Sequence, residues 1–346
     1  MRKRRMQKNY EEQSYVWWES NHSLRYNVFL ITYTTQRILK KAVTGDFRQT
    51  CPVIRRATPN QIIDASIKSS SLWNHFTIYE LHQPIRQSND PTFAKFLDDI
   101  GDGIMTNVPL NMFITVPSAE QLIDSVFPNI LLSQPINCVT RSILAPTNAQ
   151  VNMYNTEILR RCDGREQTYF ASDSLEEAEN AGIPPCDSIL DYVACHTPDG
   201  MPAYSLTIKQ GCVYRLLRNF SVDNGLVKNS RLLITNLGRR IITTRLLQNN
   251  RVGEEDILIP RIPFTTILKS RHQLKRRQFP LTAAYATTFN SCQGLTLDRI
   301  GVDLTRPVFS HGQLYTALSR VRRANDIIIR SVTNETINVT YEKILR

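Results

Sequence analysis

The stretch HGQLYTALSRVRR, residues 311–323, decides the reading of this chain. On a wheel of 100° per residue, Leu314, Ala317, Leu318 and Val321 share one stripe, which predicts an amphipathic helix with a buried face. Gln313, Thr316 and Arg320 form a second, polar stripe along the edge of that face. An arginine held there by a packed helix presents a planar cation to an interface, a geometry suited to a phosphate or a carboxylate. Taken alone, the helix is better explained by a plainer account, a border arginine that snorkels or pairs with a surface acid.

The surrounding segments predict an α/β layer. DRIGVDL before the helix alternates Ile300, Val302 and Leu304, and DIIIRSV follows it, so each reads as a strand. TRSILAPTNAQVNMYNTEILRRC, 140–162, reads as strand, turn and helix, with Val151, Tyr154, Ile158, Leu159 and Cys162 at helical spacing. DPTFAKFLDDIGDG reads as a helix capped by Asp90 with Pro91 at its first position and ended by Gly101 and Gly103. NQIIDASIKSSSLW, 60–73, reads as a helix, and HFTIYEL as a strand. The acidic run 173–180 is expected to be an exposed helical turn with a Ser174/Glu177 capping box. Between 204 and 262 the period shifts toward two, and Asn224-Gly225 signals a hairpin. Several short strands with tight turns predict a small β-barrel inserted into the α/β layer.

The 346 residues are 41% hydrophobic and 21% charged, a globular balance long enough for two or three domains. No run of about 18 apolar residues is present, which argues against a membrane span. The seven cysteines are odd in number and include no Cys-x-x-Cys, which favours reduced thiols inside a cell over a disulfide frame or a zinc site. The net charge of +11 suits a polyanionic partner. It is concentrated at 2–5 with Lys8, at 269–277, and at Arg320, Arg322 and Arg323. The first block reads equally as a nuclear address or as a solvated tail.

In order along the chain stand GDFRQTCPVI (45–54), LHQPIRQ (81–87), SILAPTN (142–148), RLLRNFSVDNGLVKNSRLLI (215–234), FNSCQGLTL (289–297) and PVFSHGQLYTALSRV (307–321). Together they resemble the later motifs of Pif1-type DNA helicases, with wording nearest to the branch carried by Helitron transposons. The resemblance covers about 43–346 and implies two RecA-like lobes with ATP between them and single-stranded or forked DNA across them. The implied fold is α/β. Residues 43–134 would be a partial first RecA-like lobe, and 135–200 and 266–346 a second lobe of the P-loop NTPase type. Residues 201–265 would be the inserted SH3-like β-barrel module, and 1–42 are unmatched.

The resemblance also implies site residues. Gln49 would sense the terminal phosphate of ATP, Arg86 would reach it, and Arg320 would be the arginine finger of the second lobe. Gln293 and Gly294 would couple nucleotide to DNA. Phosphoryl transfer rests mainly on positioning and charge stabilisation, and an arginine finger is worth about 10³–10⁵ in rate where it has been measured. Thr147, Asn148 and Thr288, at strand ends, together with Arg218 and Asn219, would contact DNA phosphates, each equally readable as a turn or cap residue. ATP and Mg²⁺ are the implied cofactors, and no protein metal site is expected. The implied activity is that of a 5′→3′ helicase in DNA repair, recombination, telomere or transposon maintenance, with a nuclear or otherwise intracellular location.

A phosphate cradle of the form G-x-x-x-x-G-K-[ST] is expected in such an enzyme. Thirteen glycines are present and none precedes a lysine, and no strand ends in an Asp-Glu pair. Ser291 stands where the family has lysine, Thr147 likewise, and KNSR at 228–231 replaces Asn-Gly-Thr-Arg. Loss of two lysine contacts would weaken DNA binding and lower its salt slope by about 0.7 per contact. Three accounts are open: the C-terminal part of a helicase whose N-terminal half is missing and which is inactive alone, a non-catalytic single-stranded-DNA-binding remnant, and a pseudogene product.

Overall fold

The computed structural model describes residues 27–32, 40–51, 54, 57–80, 85–176, 187–195, 197–198, 200–248, 251–268 and 272–346. The basic block at 2–5 with Lys8, the residues 269–271, Glu177 and Cys186 lie outside them. The chain forms two units, one of residues 1–122, 143–150 and 287–346, the other of 123–142 and 151–286.

The first unit is mixed α/β around a parallel sheet. Its strands run in the order Ala286–Thr288, Arg141–Ala145, Arg299–Asp303, Ile327–Arg330, Ile114–Val116. Arg299–Asp303 and Ile327–Arg330 pair in parallel, Ile300 opposite Ile327, and Ile327–Arg330 pairs in parallel with Ile114–Val116. Ile300, Val302, Ile327, Ile328 and Ile329 are all buried, as expected of strands covered on both faces. The helix Pro91–Gly101 and the helix Gln313–Leu318 pack in the same core, which joins Phe93, Leu97 and Ile100 to Leu314, Leu318 and Val321. Burying one such side chain contributes about 1.5–3 kcal/mol. Asp90 begins the Pro91–Gly101 helix as expected, accepting from Phe93 N–H at 3.1 Å. Its second oxygen accepts from Ala324 N–H at 3.1 Å, so one carboxylate fixes both the helix start and the segment after Arg323. An antiparallel sheet in the order Lys40–Gly45, Asn27–Thr32, Phe76–Glu80 leads directly into the turn at 46–49.

Four sequence expectations change here. The helix predicted over 60–73 is the single turn-and-a-half Pro59–Asp64, followed by short 3₁₀ turns at Ile67–Ser69 and Trp73–His75. The serine run at 69–71 offers the backbone local side-chain bonds, such as Leu72 N–H to Ser70 Oγ at 3.2 Å, which compete with helix. The helix carrying the 311–323 motif covers only Gln313–Leu318 and is buried on every side. Arg320 lies beyond its C-cap, Ser319, instead of on its polar edge.

The other two lie in the second unit. The acidic segment is a strand, Ser172–Glu176, paired with Gln273–Gln278. The inserted module is an open antiparallel sheet in the order Arg251–Val252, Ile241–Gln248, Arg231–Leu237, Val213–Leu216, Leu281–Ala283, with Ile257–Pro260 also on Ile241–Gln248. Among the described residues it does not close into a barrel, because neighbouring strands pair elsewhere. Ser205–Lys209 pairs with Glu166–Phe170, and Ile262–Ile267 with Gln273–Gln278. Asn224-Gly225 forms a turn closed by the Ser221–Leu226 bridge inside the longer 217–230 connection, with Gly225 at φ 70°.

Lys275 and Arg277 of the second basic block are exposed, but Arg276 between them points inward. Its Nε and Nη2 bond the two oxygens of Asp173 at 2.8 and 2.7 Å, and the remaining donors reach the carbonyls of Pro202 and Val193. Alternation along the strand turns this one cation into the core and leaves its neighbours for the surface.

Candidate functional site

Gly45-Asp46-Phe47-Arg48-Gln49 ends a strand and turns sharply. The turn is built on Asp46, whose carboxylate accepts from Arg48 N–H at 3.0 Å, Gln49 Nε2 at 3.1 Å and Tyr315 Oη at 3.3 Å. Burial raises the pKa of Asp46 against these donors. Arg48 anchors the turn to the end of the Pro91–Gly101 helix through Asp98 at 2.9 Å and Asp102 at 2.6 Å. Gly101 permits this passage, since a Cβ there would sit 2.7 Å from Arg48 Cδ.

The turn docks on the 311–316 segment. Gly312 has φ 69°, and a Cβ there would lie 2.6 Å from the carbonyl carbon of Gln49. Thr50 N–H donates to Thr316 Oγ1 at 3.0 Å. Gln313, expected at an interface, is instead consumed locally. Its Oε1 accepts from Phe309 and Ser310 N–H at 3.0 and 3.2 Å, and its Nε2 donates to Asn290 Oδ1 at 2.9 Å.

Both candidate arginines converge on the same stretch. Arg86 donates to the Ser319 carbonyl at 2.6 Å and to Thr296 Oγ1 at 2.7 Å, while Gln87 Nε2 reaches the Val321 carbonyl at 2.9 Å. Arg320 is fully buried and donates to the Thr316 carbonyl at 2.7 Å, Ser319 Oγ at 2.7 Å and the Leu295 carbonyl at 3.4 Å. All three acceptors are neutral, and among the described residues no carboxylate pairs with Arg320. The thiol of Cys292 feels both cations. Burial pushes it up to about 11, with Arg320 and Arg86 pulling the other way.

Thus the structure brings Gln49, Arg86 and Arg320 to one place, joined through residues 316–320. Gln293 and Gly294 lie beside it. Gln293 is exposed, and Gly294 at φ 83° opens the loop whose Leu295 and Thr296 hold Arg320 and Arg86. The residues expected to touch DNA are divided. Thr147 caps the Asn148–Arg161 helix through Gln150 N–H at 3.4 Å, with Asn148 exposed at its first turn, and Thr288 bonds Ser291 Oγ at 3.0 Å. Those three belong to the first unit. Arg218 and Asn219 belong to the second, the former over the Phe264 ring at 4.4 Å and the latter accepting from Lys228 N–H at 2.7 Å.

The PIF1-like helicase family matches residues 40–109, the segment that supplies Gln49 and Arg86. The chain is related to the PIF1-like helicases. A PIF1 ATP-dependent DNA helicase of Xenopus laevis is 27% identical over 288 residues, 81% of this chain and 39% of the relative. The chain therefore spans well under half the length of such relatives. A crystal structure of Pif1 helicase from Candida albicans superposes with a TM-score of 0.58 at 21% identity, covering 87% of this chain and 66% of that one. Pif1 from Bacteroides in complex with ADP-AlF3 and ssDNA gives 0.54 at 22% identity, over 87% and 62%. These likenesses show the α/β fold with its parallel sheet.

Sequence reasoning missed His311 and Gly312, which hold the Gln49 turn. The His-Gly pair was visible, but its partners lie about 264 residues away in the chain.

Proposed function

We propose that Gln49, Arg86 and Arg320 form the part of an ATP site that senses the terminal phosphate, in a Pif1-type DNA helicase. The observation that carries this reading is Arg320, a fully buried cation whose partners among the described residues are neutral oxygens. A buried charge without a counter-charge is costly, and an incoming phosphate supplies one. The donor set fits the terminal phosphate of ATP: two guanidiniums from separate segments and a carboxamide. Mg²⁺, which is held mainly by substrate phosphates, water and one or two carboxylates, would arrive with the ATP and not through these three side chains. Bound ATP would supply the phosphoryl group, Arg320 and Arg86 would neutralise charge on its terminal oxygens, and Gln49 would orient on it by hydrogen bonding. The Leu295 carbonyl, bonded by Arg320, and the adjacent Thr296 hydroxyl, bonded by Arg86, would pass their displacement to the Gln293–Gly294 turn.

Single-stranded or forked DNA is the proposed partner, with Thr147, Asn148 and Thr288 as the contacts offered by the first unit and Arg218 and Asn219 as those offered by the second. Solved relatives described with ssDNA or forked dsDNA support that choice. Residues 43–134 would serve as first-lobe sequence, and 135–200 with 266–346 as the second lobe. The 5′→3′ polarity, the Helitron-type lineage and nuclear work in repair, recombination or telomere maintenance belong to the same reading.

Isothermal titration of the full chain with inorganic triphosphate tests it. Binding weakened at least about tenfold in Arg320→Ala supports the site, on the scale of a charge-assisted bond. Equal binding by both proteins would falsify it. Because no glycine of the chain precedes a lysine, a second reading has its own support: DNA binding without turnover. It predicts no ATP hydrolysis by residues 1–346 with or without single-stranded DNA. It also predicts filter binding that falls with salt by about 0.7 log units per phosphate contact per log unit of salt.

A further inference from the structure

His311 has no part in the phosphate chemistry above, yet both its ring nitrogens are committed. The side chain is fully buried. Nε2 lies 2.7 Å from the Phe47 carbonyl oxygen, and Tyr341 N–H donates to Nδ1 at 2.8 Å. A carbonyl only accepts and an amide N–H only donates, so Nε2 carries the proton and Nδ1 is bare. The ring stacks on Tyr341 with centroids 5.3 Å apart and planes at 26°. Burial lowers the imidazole pKa, and the bond to Phe47 opposes this in part.

Ionisable groups on the elements packed there include Asp46, Arg48, Tyr315, Tyr341, Glu342 and Lys343, with the Lys68 ammonium 4.6 Å over the Phe47 ring. Asp46 is engaged by Gln49 and Tyr315, Arg48 by Asp98 and Asp102, and Glu342 by Arg346. The next residue, Gly312, donates its N–H to the Val339 carbonyl at 3.0 Å and lets the Gln49 backbone approach where a side chain would collide. Residues 311–312 therefore grip the 46–50 turn on one side and the 339–341 segment on the other.

We propose that His311 is the positioning residue of the Gln49 turn: its Nε2–H bond to the Phe47 carbonyl, beside the close approach at Gly312, sets the register of residues 46–50 on the Gln313–Leu318 helix. Its functional meaning rests on the reading of Gln49 and Arg320 as a phosphate-sensing pair, but its test does not. Gln at 311 can keep the donor near the Nε2 position, whereas Asn keeps only an acceptor near Nδ1.

Amide hydrogen exchange of Gln49 and Thr50 in the full chain is the measurement. Their N–H groups bond the Asp46 carbonyl and Thr316 Oγ1. Exchange about tenfold faster in His311→Phe and His311→Asn, with protection largely kept in His311→Gln, supports the assignment; tenfold corresponds to one hydrogen bond of about 1.4 kcal/mol. Unchanged exchange in a folded His311→Phe overturns it. So does rescue by Asn in place of Gln, which assigns the histidine to the 339–341 segment alone. Should His311→Phe not fold, the Gln and Asn variants decide by the same contrast, and equal exchange in the two counts against the proposal. Triphosphate titration of the same variants reads the other premise: if the turn loosens in His311→Asn and wild type binds no triphosphate, the positioning role stands and the phosphate site falls.

Discussion

Arg276 in the second unit and Arg320 in the first are both fully buried, and they differ in what surrounds the charge. Arg276 faces Asp173 through two bonds, Nε at 2.8 Å and Nη2 at 2.7 Å, a fork-on-fork match in which charge and geometry are both closed. Arg320 meets two carbonyls and a hydroxyl. Its hydrogen-bonding capacity is largely used, but its charge is not balanced by any described carboxylate. Arg231 also donates to carbonyls, those of Cys138, Val139 and Arg141, yet it keeps part of its surface in water. Burial and hydrogen-bond count alone thus do not separate a structural arginine from an anion-seeking one. A fixed counter-charge is what distinguishes Arg276 from Arg320, and the proposed phosphate site rests on that difference.

The largest way to break this contrast is Asp173→Ala. It strands Arg276 in the core, and a loss of about 3–5 kcal/mol is expected in urea denaturation. A small loss would mean that the second unit does not depend on the pair. Next comes Gly312→Ala, which forces a side chain into φ 69° and onto the Gln49 backbone. A destabilisation of about 1–2 kcal/mol follows from the left-handed backbone alone, with the collision against the Gln49 backbone added to it, read as a lowered denaturation midpoint. Arg320→Met should do much less to stability, about 1 kcal/mol in either direction, since a hydrophobic side chain of similar length replaces an uncompensated charge. Loss of triphosphate binding must accompany that small change, and a loss of stability as large as that of Asp173→Ala would erase the distinction.

The smallest effect is that of acid on His311. Its folded pKa lies below the ordinary 6.5, so the unfolded chain takes up a proton first. Its contribution is complete above about pH 6.5 and is lost as pH falls from there toward the folded value. Denaturation midpoints measured across that window should fall in wild type more steeply than in His311→Gln.

Much of this was legible in the sequence. Asp90-Pro91 announced its helix because a cap and a first-turn proline act within four residues. Ile300, Val302 and Leu304 announced a strand by their alternation, and the isoleucines of 327–329 a second one, both within an α/β layer. Gln49, Arg86 and Arg320 were singled out through the resemblance; Thr50, Arg86 and Arg320 all bond residues 316–319, Arg320 from a turn after the helix and not from its polar stripe. What escaped were decisions taken far along the chain. Asp173 reads as a solvent-facing acid until Arg276 arrives on a strand 103 residues later. The barrel failed because strand alternation specifies faces but not partners. His311 has no local sign of its task, since its partner is Phe47.

That long separation has a consequence for biosynthesis. The bond from His311 to Phe47 closes a loop of 264 residues, whereas residues 151–286 of the second unit form one continuous run. Contacts between distant residues form late, because loop closure must precede their reward. A ribosome therefore releases the Gln49 turn long before its His311 and Thr316 partners exist, with only the Arg48 anchors at Asp98 and Asp102 made early. The nascent chain must carry that half-made cradle through the whole emergence of the second unit.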